Sequence, residues 1–340
     1  MRAREARALP RKKTTTSNSR ISRTPRVSPA RPEGFVLDHK NPKNAPDVLR
    51  RPSPRVNHGR VPHDDYKDAA LVLVGHGATL NADSSAPTHQ HADELRRRNI
   101  FAQVIECFWK EEPYIYGALR GATASRVFVV PNFISEGYFT EQVIPREMGF
   151  CENGDTDFPR KQIRGGQTFY YCGPVGAHDS MTDVIVSRAT DIVRNYPYPR
   201  TPKPSETTLF IAGHGTSNNE NSRKIIERQA ELIAARDEYD AVHAIFMEEE
   251  PRIADCYTLA QTRNLVVVPF FISDGLHPNE DIPVMLGEPS RLVQERLAQG
   301  QPTWRNPTQK KGKHVWYTKS IGSEPHIADV ILERVREMSG

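Results

Sequence analysis

Hydrophobic and polar positions alternate along this chain in blocks. Residues 208–212 form an apolar run closed by Gly-His-Gly, and a charged stretch with helical periodicity follows over about 220–236. A second apolar run over about 241–247 stops at an acidic cluster before Pro251, and a short helical stretch comes next. Residues 264–272 are then almost unbroken β-branched and aromatic, the pattern of a strand covered on both faces. A strand at 314–318 and a helix at 327–338 close the chain. Strands alternating with helices at this spacing predict an α/β fold with a doubly wound parallel sheet. Right-handed crossovers would place every strand's C-terminal end on one edge, where open sheets of this kind bind ligands.

The same block pattern occurs twice. Val72-Leu-Val-Gly-His-Gly77 matches Phe210-Ile-Ala-Gly-His-Gly215, and Phe108-Trp-Lys-Glu-Glu-Pro113 matches Phe246-Met-Glu-Glu-Glu-Pro251. Val129-Val-Pro-Asn-Phe-Ile-Ser-Glu-Gly137 matches Val267-Val-Pro-Phe-Phe-Ile-Ser-Asp-Gly275, and Ile144-Pro145 matches Ile282-Pro283, always at an offset of 138. A constant offset across four separated motifs identifies a duplicated unit. By Thr182-Asp-Val-Ile185 against Ala328-Asp-Val-Ile331 the offset is 146, so the second copy carries eight extra residues before its last strand. The expected organisation is a basic disordered tail over 1–68, a first α/β domain over 69–200 and a second over 201–340.

Composition separates the tail from the rest. Residues 1–65 hold 16 Lys and Arg against 6 Asp and Glu, while the remainder holds 30 against 36, so the folded body is mildly acidic. It has no basic stripe for nucleic acid. The tail is rich in Pro, Arg, Ser and Thr and cannot bury enough apolar surface to fold. Its start has the Arg and Ser content of a transit peptide, but Glu5, the Lys/Arg cluster and the prolines spoil an amphipathic helix, so it reads as solvated. Cys107, Cys151, Cys172 and Cys256 stand far apart without a CxxC pair, which argues against a disulfide framework, a thiolate zinc site or an iron–sulfur site. No apolar run approaches the roughly 18–20 residues of a membrane span. The expectation is a soluble, cytoplasmic protein.

Candidate chemistry concentrates in the second copy. His214 sits between two glycines at a strand end, and His277 follows the third strand in Gly275-Leu-His277. In a parallel sheet those loops share an edge, so the imidazoles can converge although 63 positions separate them. Two histidines on one edge suit a later first-row divalent metal. The run Glu248-Glu249-Glu250 ends on the same edge and can supply a ligand or accept a proton. Glu248 is the first candidate because the first copy has Lys110 there, and Glu250 is the second. A solvated acidic strand end is the plain alternative. Asp281, in Asp281-Ile-Pro283, can orient a histidine. In the first copy His76 matches His214, but Phe139 stands where His277 should be, and a phenyl ring binds no metal. His89 and His91 fall in a polar helical stretch and are weaker substitutes. Arg146, Arg223 and Arg252 are rim cations, most simply read as solvated. There is no GxGxxG after a strand, no GxxxxGK[ST] and no GxSxG.

With Gly-His-Gly, the acidic strand end before Pro, the VVPxFIS run leading to Gly-Leu-His, and Glu-Asp-Ile-Pro in place, residues 69–340 resemble the CbiX family of class II chelatases. The resemblance implies two similar α/β domains of chelatase type facing a central cleft. It implies insertion of a divalent metal, foremost Co²⁺, into the tetrapyrrole sirohydrochlorin for cobalamin synthesis. His214 and His277 would be the metal-binding and catalytic pair, with Glu248 or Glu250 assisting. No permanently bound cofactor is implied: the metal (Co²⁺, or Fe²⁺ or Ni²⁺ as in relatives) is a substrate. Neither nucleic acid, membrane nor a second subunit is needed to form the cleft. The alternatives are iron insertion for sirohaem on the same fold, or metal storage and delivery without catalysis. One departure stands out: many two-domain relatives carry the complete site in the N-terminal half, and this chain carries it in the C-terminal half.

Overall fold

In strand β1 (Tyr66–Gly75), Leu71 and Leu73 point to one face of the sheet and Val72 and Val74 to the other, and all four are fully buried. That strand fixes the frame of the N-terminal half. A computed structural model describes residues 65–79, 82–152, 155, 157–215 and 220–340; the basic tail lies outside the described residues. After β1 come helix α1 (Ala86–Arg98), β2 (Phe101–Phe108), the short α2 (Ile115–Ala118), β3 (Arg126–Pro131), α3 (Ile144–Glu147), the hairpin β4 (Lys161–Arg164) and β5 (Gln167–Tyr171), and helix α4 (Met181–Asn195). The C-terminal half repeats the series with β6 (Thr207–Gly213), α5 (Glu220–Ala234), β7 (Ala241–Phe246), α6 (Cys256–Leu259), β8 (Asn264–Pro269), α7 (Ile282–Met285), α8 (Ser290–Ala298), β9 (Thr308–Lys310), β10 (Lys313–Tyr317) and α9 (Ile327–Ser339). The sheet orders are β2-β1-β3-β5-β4 and β7-β6-β8-β10-β9.

Two details differ from expectation. The sheets are not wholly parallel, because β4 and β9 add an antiparallel edge to β5 and β10. These edge strands are short and polar, with no apolar run to mark them. Their hairpins close on Gly165-Gly166 and on Lys311-Gly312, all at positive φ, as tight hairpin turns require. The eight extra residues of the C-terminal half coincide with α8, a helix with no counterpart among the described residues of the N-terminal half.

The helices explain how both faces of each sheet are covered. On the outer faces, each half keeps its own core. One contains Val72, Val127, Ile144 and Phe150, the other Phe210, Ile245, Ile282 and Trp304. On the inner faces there is one core, to which both halves contribute: Leu71, Phe128 and Met181 join Leu209, Ile226, Trp316 and Ile331. The last helix of each half is exchanged. Helix α4 packs on β8 and β10, and α9 packs on β3. Arg334 of α9 donates from Nε and Nη2 to the carbonyl of Pro174 at 3.1 and 2.8 Å, and Trp316 Nε1 donates to the carbonyl of Tyr196 at 2.8 Å. No helix among the described residues is long and apolar enough to cross a membrane.

His91, one of the two weaker substitutes, belongs to this junction. It is completely buried on α1, and its Nε2 donates to the carbonyl of Gly322 at 2.7 Å. The equivalent residue of the other half, Gln229, donates to the carbonyl of His178 at 3.0 Å. Burial pushes the His91 pKa down to about 4, against the smaller opposing pull of Gly322 and Glu324. In the unfolded chain the imidazole takes its proton near the ordinary value of about 6.5, so the unfolded state binds more protons between those limits. Stability is therefore complete above pH ~6.5 and falls as the pH drops toward ~4, by about 3 kcal/mol for this group. His91→Gln keeps a donor, as Gln229 does, and removes the titration. Denaturant midpoints at neutral pH and near pH 4.5 should differ less in His91→Gln than in the parent. Equal losses in both proteins would contradict the assignment.

Candidate metal centre

The two glycines around His214 are set by close packing. A Cβ on Gly213 would lie 2.0 Å from Ile226 Cδ1, so α5 rests directly on the end of β6. Gly215 has φ +64°, and a Cβ there would meet Phe246 Cβ at 2.9 Å. The chain therefore turns sharply at the strand end and leaves the imidazole on the sheet's C-terminal edge. The carbonyl of His214 is fixed by the backbone N–H groups of Met247 and Glu248, each at 3.1 Å.

His277 reaches the same place from the loop after β8. It opens a single π-helical turn, His277–Asp281, which leads into α7. Its ring centroid lies 4.9 Å from that of His214, with the planes at 76°. Nδ1 of His277 is 2.7 Å from Asp281 Oδ2, and Nδ1 of His214 is 3.0 Å from the carbonyl of Gly215. Both partners accept, so each Nδ1 is the donor, and in the neutral ring the lone pair lies on Nε2. The side chains are 36% and 44% exposed, so solvent reaches the pair. Among the described residues no three His, Cys, Asp or Glu side chains converge on one point. The pair thus offers two nitrogen donors.

The acidic run divides. Glu248 is exposed, with Oε2 3.8 Å from His214 Nδ1. Glu249 turns to α5, where Arg223 Nη1 donates to it at 2.9 Å while the guanidinium stacks on Phe246. Glu250 is exposed and lines a separate surface depression with Pro251, Asp255 and Leu259. Of the two glutamates expected at the histidines, the structure brings Glu248 to them. The rim arginines are engaged elsewhere: Arg252 donates to the carbonyl of Met247 at 3.0 Å, and Arg146 pairs with Glu147 at 2.8 Å. His89 is bonded to Glu106 at 3.3 Å. All four cysteines are free, and burial pushes the Cys256 thiol up to about 12.

Sequence reasoning missed Asp274. It accepts from Ser320 N at 2.7 Å and Ser323 Oγ at 2.8 Å, tying the loop before His277 to the turn at Ile321–Ser323. That turn approaches so closely that a Cβ on Gly322 would lie 1.8 Å from the carbonyl of Ile272. The partners stand almost fifty positions apart, so no local pattern announces them.

The N-terminal half builds the same turn and a different site. His76 Nδ1 donates to the carbonyl of Gly77 at 2.8 Å, as in its counterpart. Its neighbours are rings: Trp109 at 5.4 Å and Phe139 at 5.3 Å, with Trp109 and Phe139 at 4.8 Å from each other. Phe139 stands beside His76 where His277 stands beside His214.

The CbiX family profile matches residues 70–192 and again 208–338. A protein of Halobacterium salinarum named probable sirohydrochlorin cobaltochelatase is 41% identical over 278 residues, covering 79% of this chain and 91% of that one. The sirohydrochlorin cobaltochelatase of Methanococcus maripaludis is 31% identical over 144 residues, covering 36% of this chain and 99% of its own. A solved multi-domain protein of Deinococcus radiodurans, described as structurally similar to chelatases, superposes with TM-score 0.62 at 28% identity over 78% of this chain; the chain spans 54% of that protein. SirB of Bacillus subtilis, solved with Fe³⁺, shares the fold at TM-score 0.55 and 16% identity, covering 80% of this chain and 96% of SirB.

The Asp281 carboxylate holds the His277 ring and its tautomer, so Asp281→Ala should weaken Co²⁺ binding about 10–100-fold. Calorimetric titration with Co²⁺ measures this, and an unchanged affinity would remove Asp281 from the site.

Proposed function

This chain belongs to the CbiX family, and on that premise we propose that it is an enzyme inserting a divalent metal, Co²⁺ first, into sirohydrochlorin. The observation that carries the reading is the His214–His277 pair, two adjacent imidazoles at one open sheet edge, each tied down through Nδ1. Relatives named sirohydrochlorin cobaltochelatase at 41% and 31% identity favour the substrate and the metal.

Insertion exchanges the divalent ion for two pyrrole N–H protons, so the site has to hold an ion loosely and take protons away. Two neutral imidazoles bind a cobalt or iron ion and leave its remaining positions to water, which the pyrrole nitrogens displace. His214 is the ligand beside the exposed Glu248, and His277 is the second ligand, held by Asp281. Glu248 is exposed to solvent beside His214 and receives a proton and passes it on. Rates of metal exchange depend on weak ligation, and a pair with no third donor among the described residues meets that need.

Iron insertion uses the same ligands, because imidazole accepts both ions. Purified protein with sirohydrochlorin and either Co²⁺ or Fe²⁺, followed by the absorbance change of the macrocycle, separates the two. Insertion should be faster with Co²⁺ than with Fe²⁺. His214→Ala and His277→Ala should each abolish it, while His76→Ala loses far less. Metal binding without any acceleration of insertion would turn the assignment to storage or delivery. Loss of activity in His76→Ala alone would move the active centre to the N-terminal half.

A further inference from the structure

On the outer face of the first sheet, in the half without the histidine pair, lies a pocket of about 460 Å³. Ile115, Leu119, Met148 and Phe169 give it an apolar floor, and Arg120 and Arg164 stand at its rim. We propose that this pocket binds a small organic carboxylate, its charge balanced by Arg164 and Arg120 and its apolar body resting on Leu119 and Phe169.

The duplication supplies the comparison that carries the proposal. Gly149-Phe150 answers to Gly287-Glu288 at the offset of 138, and Arg164 answers to Lys310 at the offset of 146. The two cations hold the same register position in their edge strands, opposite Gln167 and Lys313. Both donate to the same carbonyl: Arg164 Nη1 to that of Gly149 at 3.2 Å, and Lys310 Nζ to that of Gly287. In the C-terminal half Glu288 completes the arrangement. Its buried carboxylate is 3.1 Å from Lys310 Nζ and 3.1 Å from Arg296 Nη1, a residue of α8. The N-terminal half has Phe150 in place of that glutamate and, among its described residues, no counterpart of α8. The cation is present in both halves, and its carboxylate in one.

Arg164 is correspondingly uncompensated. Its Cζ lies 4.7 Å from the Phe150 ring centroid and 4.6 Å from that of Phe169, and its buried Nε and Nη2 have no hydrogen-bond partner among the described residues. Burial pushes its pKa down, and no carboxylate among the described residues opposes that shift. Glu147, also at the rim, is taken by Arg146 at 2.8 Å. Buried donors left without an acceptor are costly, and a guanidinium presents two of them side by side to a carboxylate. A carboxylate entering the pocket draws these donors toward it by turning the end of the side chain. Arg120, exposed on the turn after α2, and Tyr116, 67% exposed, stand where the C-terminal half has Thr258 and Ala254. They add a second cation and an aromatic face to the same opening. A metal ion gains nothing from two guanidinium groups, whereas a carboxylate with an apolar body matches both the rim and the floor.

Benzoate, benzamide and inorganic phosphate serve as probes, each followed by ligand-observed NMR titration of the full chain. Benzoate should bind with a Kd of about 1 mM or tighter. Benzamide has the same shape without the charge, and phosphate has charge without the ring, so each should bind at least about tenfold more weakly. Arg164→Gln should weaken benzoate binding about tenfold, and added salt should weaken it in the parent. Leu119→Glu, which supplies a carboxylate from the chain itself, should block benzoate, while Leu119→Gln, of the same size, should block it much less. His214→Ala should bind benzoate as the parent does. Absence of benzoate binding, unchanged affinity in Arg164→Gln or equal binding of benzamide would overturn the assignment. Equal binding of phosphate would overturn the apolar body of the ligand, and loss of binding in His214→Ala would move the site to the histidine pair.

Discussion

The exchange of α4 and α9 is the constraint on which the rest of this structure depends. A sheet of this kind exposes two apolar faces, and each half here supplies enough helices of its own for one face and part of the other. The missing cover comes from the partner half: α4 closes over β8 and β10, and α9 over β3. The inner core is therefore continuous, from Leu71 through Met181 to Trp316 and Ile331. Neither sheet can keep its inner face dry without the other, so the two C-terminal edges stay in a fixed relation.

That rigidity reaches the site through a short series of contacts. His91 on α1 bonds the carbonyl of Gly322, and Gly322 presses on the carbonyl of Ile272. Asp274 ties the same loop to Ser320 and Ser323, and the loop ends at His277. A histidine separated by 63 positions from its counterpart is thus held by the seam between the halves as well as by its own sheet. His214 needs less support, because Gly213 and Gly215 let α5 and Phe246 come close enough to fix the turn directly.

Much of this was legible in the sequence because it rests on local signals. The 138-residue offset identified the repeated unit, and strand-then-glycine placed His214. The β-branched run over 264–272 located the strand that delivers His277, and Phe139 marked the other half as incomplete. What could not be read was long-range. Which sheet α4 covers is decided by complementarity between surfaces distant in sequence, and its apolar stripe looks the same either way. The edge strands β4 and β9 are too short and polar to register as strands. The three neighbouring glutamates have the same chemistry in sequence and three different directions in space, set by Arg223 and by the bend before Pro251.

The exchanged helices also bear on how such an asymmetric molecule can arise. Two separate copies of a half-length chain could close the same core by swapping their last helices. In that assembly every substitution would be written twice, so a phenylalanine at position 139 would mean a phenylalanine at the matching position of the other half as well. Joining the halves in one chain breaks that tie. Positions 139 and 277 can then differ while the seam between them stays fixed, so one edge keeps two neighbouring histidines and the other carries packed aromatic rings.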